Sequence, residues 1–254
     1  MSLSTRKHFI AVLWLIGMVG VFSLIPFTQK LILSQGQELP MPMIAIQFIS
    51  VIQGGVLLLI AVLLGTFFAY RVHLSAPLIE AILKKGSISG VIKKQISPAI
   101  TGGIAGGVFL LLFTAFFHDR LPSEFISAAE NFSPPWYTRI FYGGITEEIL
   151  MRWGAMSFLA WISYRLFQGG KDQISSGHYI FAILASALLF GVAHLPAVHA
   201  LSPVIDMPLI VYIIIGNSTF GFIAGVLFWR FGLECAIIAH MAAHVVMLIG
   251  NMFV

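Results

Sequence analysis

Residues 140–164, between Arg139 and Arg165, form an apolar run that holds three formal charges, Glu147, Glu148 and Arg152. As one helix this run reaches roughly 37 Å, enough to cross a bilayer core of about 30 Å. A charge at the centre of such a core costs about 2.5–3.5 kcal/mol on insertion scales, so three in one span require partners or a wet cavity. Helical spacing separates them. Glu148 and Arg152 are four apart, with the acid N-terminal to the base, the favourable order for an ion pair. Glu147 is rotated by about 100° from Glu148 and points elsewhere, so one carboxylate is left over.

The rest of the chain has the same apolar character. Of 254 residues, 59% are hydrophobic and 9% charged, against about 25% charged in soluble domains. The expected fold is all-α: a polytopic, multi-pass membrane protein of about 7–8 transmembrane helices around an intramembrane polar cavity. Spans are predicted at 9–27, 43–70, 99–117, 139–165, 179–197, 208–229 and 233–254, with Pro134-Pro135 starting the charged helix. Gly216-Asn217-Ser218-Thr219 interrupts the sixth and could break it. The expected domain count is one over 1–254, with N-terminal spans and a basic amphipathic loop in 1–134 and a core in 135–254.

The formal charge of +4 sits in short segments between apolar runs, which marks topology rather than nucleic-acid binding. With the N-terminus inside, the loops holding Arg71 to Lys94, Arg165/Lys171 and Arg230 all fall inside. Interleaved isoleucines and lysines in 71–98 suggest either a cytoplasmic loop or an interfacial segment that meets anionic lipid. The single cysteine, Cys235, excludes an internal disulfide. No cleavable signal peptide is expected, because 26–30 offers no small-residue cleavage site.

Three further ionisable groups fall inside late spans: His194, His240 and His244, the last two sharing a helix face. A leftover carboxylate can take a proton from water, a neutral histidine can hold that water, and further donors can stabilise the resulting oxyanion. Such a set suits amide hydrolysis without a covalent intermediate.

The order Glu147-Glu148-xxx-Arg152, Phe190-xxx-His194, His240-xxx-His244 resembles the three motifs of the CPBP family of intramembrane proteases. That family contains the Rce1-type CAAX prenyl proteases and the Abi bacteriocin-processing and self-immunity proteins. Leu195-Pro196 and the run Gly225-Val-Leu-Phe-Trp-Arg-Phe-Gly-Leu233 match as well. The resemblance covers about 135–254.

It implies a glutamate-type intramembrane endopeptidase that needs no cofactor. Glu147 and His194 would activate water, His240 would belong to the oxyanion-binding or water-holding side with His244 able to donate a hydrogen bond beside it, and Glu148, Arg152 and Phe190 would support them. His244 departs from the family pattern, which has Asn or Asp there. The implied partners are membrane lipids and a peptide or protein substrate, lipidated or membrane-embedded ones included. Compact size and short loops point to a prokaryotic cytoplasmic membrane.

Two alternatives follow from the same residues. Glu147, His194, His240 and His244 are a four-ligand set for zinc, which would make the chain a membrane metalloprotease. Intramembrane Glu, Arg and His also serve transporters, and a non-catalytic immunity protein would not use them chemically.

Overall fold

The computed structural model describes residues 3–34, 39–202 and 204–253. Positions 35–38 of the expected loop after the first span, and Val254, lie outside the described residues. Every regular element among the described residues is helical. In order they are α1 (Leu3–Ser23), α2 (Ile25–Ser34), α3 (Met43–Phe68), α4 (Pro77–Leu83), α5 (Ile88–Phe117) and α6 (Ser123–Asn131). A continuous helix over 136–167 follows as α7, then α8 (Ser176–Ala193), α9 (Leu195–Leu201), α10 (Met207–Phe231) and α11 (Leu233–Gly250).

Six segments are long and apolar enough to cross a membrane: Leu3–Ser34, Met43–Val72, Ile88–Arg120, Ser176–His199, Met207–Phe231 and Leu233–Gly250. The charged helix α7 adds a seventh of membrane length. It lies among α1, α3, α8 and α11, so its charges face protein rather than lipid. The chain is an integral, multi-pass membrane protein.

Small residues allow this central helix to be enclosed. A Cβ at Gly20 of α1 would collide with Thr146 Oγ1 and the Phe141 carbonyl, and one at Gly65 of α3 with the Trp153 side chain. At that contact Thr146 donates to the Gly17 carbonyl at 2.6 Å, and Thr138 donates to the Ser23 carbonyl at 2.8 Å. Interhelical hydroxyl-to-carbonyl bonds of this kind hold helices where water gives no hydrophobic drive. On the other side of the bundle, Gly103 and Gly107 of α5 lie against Ala239, Ala242, Ala243 and Val246 of α11.

Two expectations need correction. The third span begins at Ile88, not at 99, because Ile88, Ile92, Ile96, Ile100 and Ile104 form one exposed apolar stripe at four-residue spacing. The basic residues of 88–98 therefore belong to the start of a spanning helix. The sixth span does not break: Asn217 and Thr219 donate to the Ile213 and Ile215 carbonyls of their own helix, each at 2.8 Å, and so do not link it to neighbours. The fifth span lies where expected, within Ser176–His199, with a local break at His194, where Pro196 removes an N–H and its ring crowds the preceding turn.

Candidate active site

The backbone of α7 is π-helical over Arg139–Glu147 and Ile149–Met156, a rare form that clusters at functional sites. Glu148 and Arg152 still meet across one turn, Arg152 Nε to Glu148 Oε2 at 3.1 Å, with both side chains wholly buried. His240 Nδ1 lies 2.9 Å from the other oxygen, Glu148 Oε1. Arg152 Nη1 reaches the Ser186 hydroxyl at 3.4 Å, and its guanidinium stands 5.4 Å from the centroid of the Phe190 ring. The inner carboxylate is thus held by a cation on one side and an imidazole on the other.

Glu147 faces a different partner. His194 Nε2 lies 3.9 Å from Glu147 Oε1, and both side chains are partly exposed. The Nδ1 atom of His194 is 2.7 Å from the Phe190 carbonyl oxygen. A carbonyl can only accept, so Nδ1 carries the proton and the Nε2 of the neutral ring is an acceptor. Two acceptors, Glu147 Oε1 and His194 Nε2, therefore face each other at a spacing that fits a shared donor. A water molecule, with two O–H bonds, meets that requirement.

The sequence builds this pairing from the end of α8. Ser186, Phe190 and His194 are four residues apart and share a face. The helix stops at Ala193, leaving His194 as its last capping residue. Ser186 and Gly221 are contributors that motif reading passed over. Ser186 bonds Arg152, and a Cβ at Gly221 would sit 3.3 Å from Arg152 Nη2. The four-residue step back from Phe190 is the signal for Ser186; Gly221 is marked by its small-xxx-small spacing with Gly225, a packing signal that does not name Arg152 as the neighbour.

His240 and His244 stack, with ring centroids 4.8 Å apart and planes 19° from parallel. His244 Nδ1 is buried without a partner. Its other nitrogen packs on α7, where a Cβ at Gly143 would be 2.5 Å from Nε2.

Phe190 separates the two histidine groups. It packs edge-on against His194 at 4.7 Å and against His240 at 6.0 Å. It also lines two cavities. The larger, about 590 Å³, runs between α3, α7 and the end of α8; it is walled by residues such as Leu57, Leu64, Met151 and Phe158, with Glu147 and His194 as its chemistry. The smaller, about 210 Å³, lies on the side of His240 and His244 and is walled by Tyr212, Asn217 and Phe220. Both volumes exceed that of an apolar cavity able to hold benzene, about 150 Å³.

The structure thus brings Glu147 to His194, and Glu148 to Arg152 and His240. It does not bring Glu147, His194, His240 and His244 into one ligand sphere. Among the described residues, no three His, Cys, Asp or Glu side chains are arranged to hold a metal ion. The reason is visible in the bonds: His240 is turned to Glu148, and Phe190 stands between His240 and His194.

The profile of the Rce1-like family, type II CAAX prenyl endopeptidases, matches residues 129–246. Those residues belong to the Rce1-like family. The match contains all three motif segments and all of the groups described above. No curated protein and no solved structure matches the chain. The family that this part of the chain matches is one of membrane proteases of CAAX-endopeptidase type, which act on peptide or protein substrates.

Proposed function

We propose that the chain is a glutamate-type intramembrane endopeptidase in which Glu147 and His194 activate the attacking water. The observation that carries this is the acceptor pair at 3.9 Å, His194 Nε2 and Glu147 Oε1, at the wall of an apolar cavity of about 590 Å³. A water donating to both groups directs a lone pair away from them, towards a carbonyl placed in the cavity. Glu147 takes the water proton as oxygen attacks carbon, and that proton then passes to the leaving amine. The protein supplies the position and the general base; the peptide supplies the electrophile.

The developing oxyanion needs donors. His240, which donates Nδ1–H to Glu148, lies across the Phe190 ring from the Glu147–His194 pair, so its Nε2 would reach an oxyanion only where Phe190 turns aside, and only with a second proton on the ring. Arg152 holds Glu148 in place for that task. In this reading the second glutamate acts through His240 and does not touch the substrate. The apolar lining of the larger cavity suits a hydrophobic substrate segment or a lipid-modified one.

Cleavage of a quenched-fluorescent peptide panel, with and without an isoprenylated cysteine, tests the proposal on detergent-purified protein. Wild type cleaves; Glu147→Gln loses at least about a hundredfold, the size of a general-base contribution, at unchanged melting temperature. Full activity in Glu147→Gln would sink the mechanism. Loss of wild-type cleavage in chelator, restored by zinc, would move the assignment to a metalloprotease.

A further inference from the structure

Four bonds gather the α3 end, α4, the start of α5 and the α10–α11 turn at one end of the bundle. Leu233 N–H donates to the Ser75 carbonyl at 3.1 Å, and Ile79 N–H to Glu234 Oε1 at 2.9 Å. Gln95 Nε2 donates to the Phe231 carbonyl at 2.8 Å, and the Tyr179 hydroxyl to the Val72 carbonyl at 2.7 Å. These segments carry Arg71, Lys84, Lys85, Lys93, Lys94 and Arg230. Their carboxylates are Glu80, which pairs with Lys84 at 3.3 Å, and Glu234, which is buried and held by Ile79 and Gln95.

Lys94 and Arg230 line a cleft of about 380 Å³ together with Ser87, Val91, Gln95 and Phe231. Among the described residues, neither cation has a carboxylate within ion-pair distance; Arg230 stands over the Trp229 ring at 5.3 Å. Gln95 is only 2% exposed. Its amide N–H groups go to Phe231 and Glu234, while its carbonyl oxygen Oε1 is buried and has no donor. The cleft therefore offers two free cations and a hydroxyl from Ser87, with the Gln95 side chain closed off beneath them.

Its depth is set by α5. The exposed isoleucine stripe of that helix continues from Ile96 through Ile100 and Ile104 towards the middle of the span, and Lys93 and Lys94 are the last charges before it, so Lys94 stands where headgroups give way to tails. Its apolar stem can follow the helix while the ammonium stays among phosphates. Val91 and Phe231 add apolar wall.

We propose that this cleft binds one anionic phospholipid, with phosphatidylglycerol as the probe that represents it. The phosphate meets Lys94, Arg230 and Ser87, and the glycerol backbone lies on Val91 and Phe231. Basic pockets between spanning helices are suited to such headgroups. The lipid would also steady Gln95, and through it Glu234 in the first turn of α11, the helix that carries His240 and His244.

The test is native mass spectrometry, with thermal melting, of detergent-purified full-length protein titrated with phosphatidylglycerol, phosphatidylcholine or inorganic phosphate. Wild type retains one phosphatidylglycerol and melts higher with it, and does neither with phosphatidylcholine. Lys94→Ala and Arg230→Ala each weaken binding about fivefold, the effect of one basic residue near a membrane surface, and the pair about 25-fold. Lys171→Ala, outside the cleft, binds as wild type. Wild-type binding by the double variant, or equal loss in Lys171→Ala, overturns the site. A melting shift produced equally by inorganic phosphate overturns the lipid assignment in favour of a free anion.

Discussion

Replacing Arg152 by methionine removes a buried cation and keeps most of the side-chain volume. Arg152 and Glu148 are both wholly buried, joined at 3.1 Å, and Arg152 also holds Ser186 at 3.4 Å. Breaking one side of a buried pair typically costs about 3–5 kcal/mol, because the remaining charge is left without its counter-ion. Glu148 would keep His240 at 2.9 Å, so the expected cost lies at the lower end, about 3 kcal/mol. For a chain of this size that lowers the melting midpoint by on the order of 6–12 °C. Melting in detergent, followed by intrinsic fluorescence, measures the shift. The double variant Arg152→Met/Glu148→Gln removes both charges and should regain at least half of it. A single variant that melts within about 1 °C of wild type, or a double variant no better than the single, would refute the reasoning.

Phe190→Ala should join the two cavities of about 590 and 210 Å³ into one chamber, at a stability cost of about 3–5 kcal/mol. Its expected signature is a changed preference for bulk beside the scissile bond across a peptide series, with Phe190→Leu intermediate; an unaltered rank order would remove Phe190 from the specificity machinery. Gly20→Val should destabilise by at least about 1–3 kcal/mol through overpacking, since its Cβ would collide with Thr146 Oγ1 and the Phe141 carbonyl. Melting again reads the outcome, and a wild-type midpoint would contradict the close approach of α1 and α7.

Much of this was legible because it is local. Apolar runs longer than a bilayer core mark spanning helices whatever their neighbours do, and a Glu four residues before an Arg meets it on any helical turn. Motif order added what spacing alone could not, the link between Glu147 and His194. The start of α5 was not legible, because its lysines have the composition of a loop while they sit on faces beside an unbroken isoleucine stripe. The polar cluster at 216–219 did not break α10, because amide and hydroxyl side chains found carbonyls one turn back.

Other relations exist only in three dimensions. That His240 is turned to Glu148, 92 positions away, follows from how α11 packs on α7, and no periodicity encodes it. The same holds for Phe190 standing between the histidines, for Ser186 and Gly221 around Arg152, and for the cleft shared by Lys94 and Arg230. The sequence alone determined the helices and the faces on which their few charges lie, because periodicity is a property of one segment. Tertiary structure decided which charges share a partner, because a buried ion takes the counter-group that packing brings within about 3 Å, whatever the distance along the chain.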